Sequence, residues 1–274
     1  MSEAEVLLIV EDDKKRAELC AFLSEFGVDV DSRKTLPEAP EASELRRIKK
    51  QMAKLLRRSR ALEEAYDTTL ENFMAALDLR DVETYGHSKT VARYSHVLAE
   101  AAGIRDPRAL DSIRKGALLH DAGKMAIPDA ILKKPGPLAP KEWEVIRRHP
   151  ALGYGLVRDL KLVREVGDII LCHHERYDGT GYPKGLRGEE IPIEARIFAV
   201  ADTLDAVTSH RPYRAPRDFG AARRELEANA GRQFDPRVVD VFRGMDLAVW
   251  EKIRFETTRL MPPFDEPPSP SAAR

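Results

Sequence analysis

Leu119-His120-Asp121-Ala122-Gly123-Lys124, then a solitary His149, then Cys172-His173-His174-Glu175, is the run of residues on which the reading of this fold turns. The loop Asp178-Gly179-Thr180-Gly181-Tyr182-Pro183 follows directly. Glu83-x-x-x-His87 stands upstream, and Ala201-Asp202-Thr203-Leu204-Asp205 lies downstream. Imidazoles and carboxylates at this density, in a chain with 2 cysteines, form the nitrogen and oxygen ligand set of divalent iron, manganese or zinc. The chemistry usual for a multinuclear site of that kind is water activation. A lone His-Asp pair would be a surface dipeptide; Gly123-Lys124 and the further histidines reverse that reading.

Outward from these motifs the pattern is helical from about residue 68 to residue 245. Helix-like segments cover 69–79, 87–102, 107–120, 140–159, 161–175, 193–210 and 218–230, joined by connections rich in Gly and Pro such as Lys134-Pro135-Gly136-Pro137. No run alternates over enough residues to make a sheet. The expected fold is mainly α: a helical bundle preceded by a long helix and a small βαβ-like N-terminal remnant. The expected parts are 1–35 for the remnant, 36–67 for a linker and coiled-coil-like helix, 68–249 for the helical domain, and 250–274 for a Pro-rich, partly disordered tail.

Composition narrows the function classes. A net charge of -1 over 274 residues gives no field that would draw nucleic acid or acidic lipid. Cys20 and Cys172 cannot make a disulfide framework, which fits a reducing cytosol. No apolar run is long enough for a membrane span, and the acidic start lacks the basic flank of a signal peptide. The expectation is a soluble cytoplasmic protein that binds neither nucleic acid nor membrane.

Two N-terminal features carry signals of their own. The apolar run Val6–Val10 ends in Glu11-Asp12-Asp13, and a helix-like stretch from Arg16 to Phe26 precedes Val28-Asp29-Val30. This opening resembles a response-regulator receiver domain, as in two-component signalling. The phosphoacceptor aspartate should follow some forty residues on, but that region is the basic stretch Arg46-Arg47-Ile48-Lys49-Lys50 to Arg57-Arg58. The expectation is a truncated remnant, too short to be stable alone. Beyond it, Leu45, Ile48, Met52, Leu55, Leu62, Tyr66 and Phe73 keep a 3,4 spacing. They form either a homodimer seam along the 43–75 helix or the inner face of a helix lying on its own domain.

In this order, HD-x-GK, a lone His, HHE-x-x-D-G-x-G-Y-P and D-x-x-x-x-x-x-x-x-R-P-Y-R resemble the HD-GYP family of cyclic di-GMP phosphodiesterases, from about Arg80 to Phe242. The resemblance implies an HD-superfamily helical bundle with two or three divalent metal ions, iron or manganese first and zinc or nickel next. It implies His120 on one ion and Asp121 bridging two, with His87, His149, His173, His174 and Asp202 as further ligands. A glutamate at the position of Glu83 marks the subset that holds a third ion. Arg211 and Arg214 match the family's second basic cluster, which contacts phosphate and guanine. Gly179, Gly181, Tyr182 and Pro183 stand at the signature loop beside the substrate. The implied partners are cyclic di-GMP and a GGDEF-domain or other signalling protein.

The residues themselves add roles. Asp202 emerges from the apolar Phe198-Ala199-Val200-Ala201, where a charge is expensive unless paired or ligated. Glu83 and His87 share a helical face if the intervening segment is helical; if it is a loop, Glu83 is a helix-start acid. Lys124, one turn beyond His120, is placed to meet a phosphate, and with Asp121 it makes up the catalytic pair. The glycines of 178–183 should serve conformations with positive φ. Glu175 and Asp205 should orient ligating histidines. His96, His210 and Cys172 fit no ligand position. The expected reaction is attack on phosphorus by a water whose pKa the cations depress, expelling the 3′-oxygen to give pGpG and, in a second turn, GMP. Two rivals stay open: a non-hydrolysing cyclic di-GMP receptor, and an HD phosphohydrolase acting on another cyclic dinucleotide such as cGAMP or on mononucleotides.

Overall fold

Helix α1 (Ala42–Arg80) contains no glycine or proline and is rich in Ala, Leu, Lys, Arg and Glu, the residues that cost least in a helix. It opens the described part of a computed structural model, which covers residues 42–81, 86–158, 166–210 and 215–259. The remnant expected over 1–35, Glu83, Arg211 and Arg214 lie outside the described residues. The chain divides into two compact units, 1–64 and 65–274. In the first, Met52, Leu55, Leu56 and Leu62 of α1 are exposed.

The second unit holds a helical core. From α1 it takes Met74 and Leu77. Helix α2 (His87–Ala101) contributes Val91, Tyr94 and Leu98, and α3 (Pro107–Leu119) contributes Ile113, Ala117 and Leu118. Helix α3 starts cleanly: Pro107 takes a position where no amide proton is needed, and the Asp106 side chain accepts from Arg108 N at 3.1 Å. After α3 come a 3-10 turn (Ala122–Ala126), α4 (Asp129–Leu132), α5 (Pro140–Ile146), α6 (His149–Val157) and α7 (Gly167–Cys172). Helix α8 (Ile193–Thr208) is apolar nearly all round and runs through the core, burying Ile197, Phe198, Val200 and Leu204. Helices α9 (Phe219–Ala228), α10 (Pro236–Arg243) and α11 (Leu247–Arg259) close the bundle with Leu226, Phe242 and Trp250. Among the described residues there is no strand, only an isolated bridge between Ala230 and Phe234. No described helix is long and apolar enough to cross a membrane.

Three sequence expectations change. The helix expected over 140–159 is two helices. Pro150 has no amide proton for the Ile146 carbonyl, and its ring would strike that carbonyl in a continuous helix, so the chain turns at Arg147-Arg148. The segment expected over 161–175 is helical from Gly167 to Cys172, with 159–165 outside the described residues. The tail expected from residue 250 is helical as far as Arg259, because Trp250, Ile253 and Thr257 recur at helical spacing and are buried.

Candidate metal centre

Three helices end in the same way. The last carbonyls of a helix have no amide partner within it. At the end of α3, His120 Nδ1 lies 2.8 Å from Ala117 O; after α5, His149 Nδ1 lies 2.7 Å from Ile146 O; after α7, His173 Nδ1 lies 2.9 Å from Ile170 O. Each imidazole sits three residues beyond the carbonyl it caps. A carbonyl can only accept, so Nδ1 carries a proton, and in a neutral ring Nε2 turns inward with its lone pair. His87, at the start of α2, reaches the same arrangement with a carboxylate: its Nδ1 is 2.7 Å from Asp205 Oδ2.

The inward nitrogens converge. His149 Nε2 and His173 Nε2 stand 3.0 Å apart, and His149 Nε2 is 3.1 Å from Asp121 Oδ1. His120 Nε2 is 2.9 Å from Asp121 Oδ2, and His87 Nε2 is 3.4 Å from Asp202 Oδ1. Asp121, His149, His173 and His174 bring ligand atoms within 4.8 Å of one another, and so do His87, His120 and Asp121. The two groups share Asp121. Asp202 lies at the edge of the second, with 35% of its side chain exposed.

Electrostatics explain why this cluster suits a cation. Burial, reinforced by the neighbouring imidazoles His174 and His149, holds His173 well below the usual histidine range. Burial, with His149 next, pushes His174 down to about 3. These rings are neutral at pH 7. The His173 Nε2 lone pair and Asp121 Oδ1, a buried atom that makes no hydrogen bond, face each other beside His149 Nε2, which lies 3.0 Å from His173 Nε2. Facing lone pairs repel unless something positive lies between them. Burial opposes the charge of Asp121, but His120 and Lys124 outweigh it and hold the carboxyl well below the usual range. The donor set therefore fits divalent ions, with imidazole and carboxylate and without thiolate.

A second layer of contacts fixes the rings. Phe198 of α8 lies under His120 and His173, with ring centroids 4.8 and 5.8 Å away. Asp205 Oδ2 also accepts from Ser209 Oγ at 3.0 Å, and Asp205 Oδ1 accepts from Arg254 Nη2 at 2.8 Å. Burial opposes ionisation of Asp205, but His87 and Arg254 keep its carboxyl below the ordinary range. Arg254 stands on α11, where the sequence reading placed a tail. The 3,4 spacing of Trp250, Ile253 and Thr257 was the signal that could have found it.

Other sequence expectations are redistributed. Asp205 orients a histidine as expected. Glu175 does not: its carboxylate accepts from Lys184 N at 2.7 Å and Leu186 N at 3.0 Å and so pins the signature loop. Lys124 is on the 3-10 turn rather than on the helix that ends before His120. Within the turn, Gly123 packs onto the backbone of α6. Helix α2 starts at His87, with Gly86 before it at φ 82, while Glu83, expected to share a helical face with His87, lies outside the described residues. Gly179 has the expected positive φ of 80, but Gly181 does not. Its need is space, since a Cβ there would run into the backbone of His174, Glu175 and Arg176. Tyr182 stacks on His174, centroids 4.6 Å apart and planes 25° from parallel, while Pro183 is exposed. Arg147, not singled out from sequence, lies 5.3 Å over the Tyr182 ring. His96 is partly exposed 3.8 Å from Glu100, His210 is exposed, and Cys172 is buried in a small apolar cluster.

Comparison with known proteins places this arrangement. Residues 71–238, more than half of the chain, match the HD domain family. The chain belongs to the HD-domain family. Relatives of this HD domain include a cyclic di-GMP phosphodiesterase of Thermotoga maritima, 37% identical over 220 residues, which are 78% of this chain and 60% of that protein. The cyclic di-GMP phosphodiesterase response regulator RpfG of Xanthomonas campestris is 44% identical over 189 residues, 68% of this chain and 50% of its own length. A 3′3′-cGAMP-specific phosphodiesterase of Vibrio cholerae is 39% identical over 182 residues, 66% and 35% respectively. The HD-domain chain thus spans between about a third and three fifths of these relatives.

Proposed function

We propose that this chain is a metal-dependent phosphodiesterase of the HD-GYP type that opens cyclic di-GMP to linear pGpG and, in a second turn, yields GMP. The observation that carries the reading is the convergence of inward-facing Nε2 atoms and an orphaned Asp121 oxygen in two clusters that share one carboxylate. His149, His173 and His174 would hold one ion, and His87, His120 and Asp202 another, with Asp121 bridging; Glu83 is the candidate for a third. Iron or manganese is the first choice for this donor set, with zinc or nickel next. Bound there, the ions would supply a nucleophilic water at neutral pH and Lewis acidity toward a phosphodiester. Lys124, 2.7 Å from Asp121 Oδ2, would neutralise charge on the phosphoryl oxygens. Tyr182, with Arg147 above it, would form one wall of the substrate cleft alongside Gly179, Gly181 and Pro183. Arg211 and Arg214 would meet phosphate and guanine.

The choice of cyclic dinucleotide rests on the names of the relatives. Two act on cyclic di-GMP, and the 39% identical protein on 3′3′-cGAMP gives a second reading. A substrate panel with Mn²⁺ or Fe²⁺ under anaerobic conditions, followed by nucleotide chromatography, decides between them. Cyclic di-GMP should be converted to pGpG faster than cGAMP or mononucleotides are consumed, and chelator should stop it. Bound but intact cyclic di-GMP would make the chain a receptor instead. Exposed Met52, Leu55 and Leu62 at 3,4 spacing support a homodimer along the 43–75 helix, and a GGDEF-domain protein is the matching signalling partner. The cytoplasm, where cyclic dinucleotides are made and read, is the proposed compartment.

The Asp205 contact gives a further expectation. Asp205→Asn removes the charge that fixes the His87 ring, and metal affinity should fall by about 10- to 100-fold. Competitive chelator titration with elemental analysis checks this; an unchanged affinity would show that His87 is no ligand or needs no orientation.

A further inference from the structure

Two consecutive residues at the end of α1 grip one lysine. The Arg80 guanidinium donates to the carbonyls of Lys124 at 3.3 Å, Met125 at 3.0 Å and Ile127 at 2.8 Å. Its Nε and Nη2 also reach Asp129 Oδ1, at 3.0 and 2.7 Å. A planar fork of fixed N–H directions is what spanning several oxygens requires, and a lysine could not reproduce it. Next in sequence, Asp81 Oδ2 lies 2.7 Å from Lys124 Nζ, while Asp121 Oδ2 lies 2.7 Å from the same nitrogen. The Asp81 and Lys124 side chains are only 10% and 13% exposed, so this pair is shielded from the screening that weakens surface ion pairs. Arg80 therefore organises the backbone of the 3-10 turn, and Asp81 holds the ammonium that the turn displays.

We propose that Arg80 and Asp81 are positioning residues for Lys124, fixing its ammonium beside Asp121 where a bound phosphodiester would meet it. The inference rests on the phosphodiesterase reading given above. An unrestrained lysine has four rotatable bonds and many rotamers. An ammonium has three N–H donors, and ion pairs to Asp81 and Asp121 restrict where it can sit. The geometry of the charge, more than its presence, then determines how well the transition state is met. Asp81 is not a member of either candidate metal group. Its effect should therefore appear in turnover and not in metal content.

The test is a double-mutant cycle on the metal-loaded full chain, with kcat, KM and metal equivalents measured for each variant. Lys124→Ala should lower kcat by about 100-fold, the usual loss for one donor to a developing oxyanion. Asp81→Asn, which keeps size but removes charge, should lower kcat by about 10-fold, with KM and metal content little changed. Arg80→Ala should behave in the same way. In the Lys124→Ala background, Asp81→Asn should cost nothing further, because residues acting through one group are not additive. Multiplicative losses in the double variant would overturn the proposal, and so would metal content falling in step with kcat in Asp81→Asn. Wild-type protein with no turnover of any cyclic dinucleotide would instead overturn the function reading, and this inference with it.

Discussion

The His120→Ala/Asp121→Ala variant should lose turnover of cyclic di-GMP altogether, a fall of about 10⁴-fold or more, as when interdependent catalytic groups are removed together. Asp121 is the residue common to both candidate clusters, and its two oxygens face different partners: Oδ1 toward His149, and Oδ2 toward His120 and Lys124. Removing it takes a donor from each group at once, so metal content should fall with activity. The fold should survive. Ile113, Ala117 and Leu118 of α3 keep their core contacts, the Asp121 side chain makes no cap for the 3-10 turn, and the His120 cap on the Ala117 carbonyl is a single contact against that core. Far-UV circular dichroism should therefore stay close to wild type while nucleotide chromatography shows intact substrate. A double variant that still opened the ring would refute the assignment of the centre.

Gly123→Ala should have the largest effect on the fold itself. A Cβ on Gly123 would lie inside van der Waals contact with the His149 carbonyl and Gly153 N, all backbone of α6. Neither can rotate away, so the 3-10 turn and α6 must part. That separates Asp121 and Lys124 from His149. Overpacking of this kind costs about 3 kcal/mol or more, and metal content should drop as the clusters open. Gly155→Ala is the control. It lies on the same helix with nothing within 4 Å of the added methyl, and it should stabilise by about 0.5–1 kcal/mol through reduced backbone entropy. Urea denaturation of the two variants beside wild type reads both effects. Equal stabilities would mean that the close approach of turn and helix does not matter.

The motifs told of their chemistry more readily than of their setting. His120-Asp121, His149 and His173-His174 could be read as a cluster because unlike residue types recur at the ends of apolar segments, and the structure brings their side chains together. A mainly helical bundle was also readable, since period-3.6 patterning survives in α2, α3 and α9. The break before α6 was readable in principle, because Pro150 forbids the continuous helix. Helix α11 was masked by the prolines that follow it. Other features have no local signal. The carbonyl that each histidine caps depends on where its helix ends. The pairings Arg80–Lys124, Asp81–Lys124 and Arg254–Asp205 join residues that are 43 to 49 positions apart and carry no periodicity. Gly181 was credited with the wrong requirement because a close backbone approach and a positive φ look identical in sequence.

The most direct measurement is anomalous diffraction from crystals grown anaerobically with Mn²⁺ or Fe²⁺. At least two peaks are expected, one among Asp121, His149, His173 and His174 and one among His87, His120 and Asp121, with Asp121 touching both. A fully metal-supplied crystal with a single ion, or with none beside Asp121, would contradict the shared-cation account.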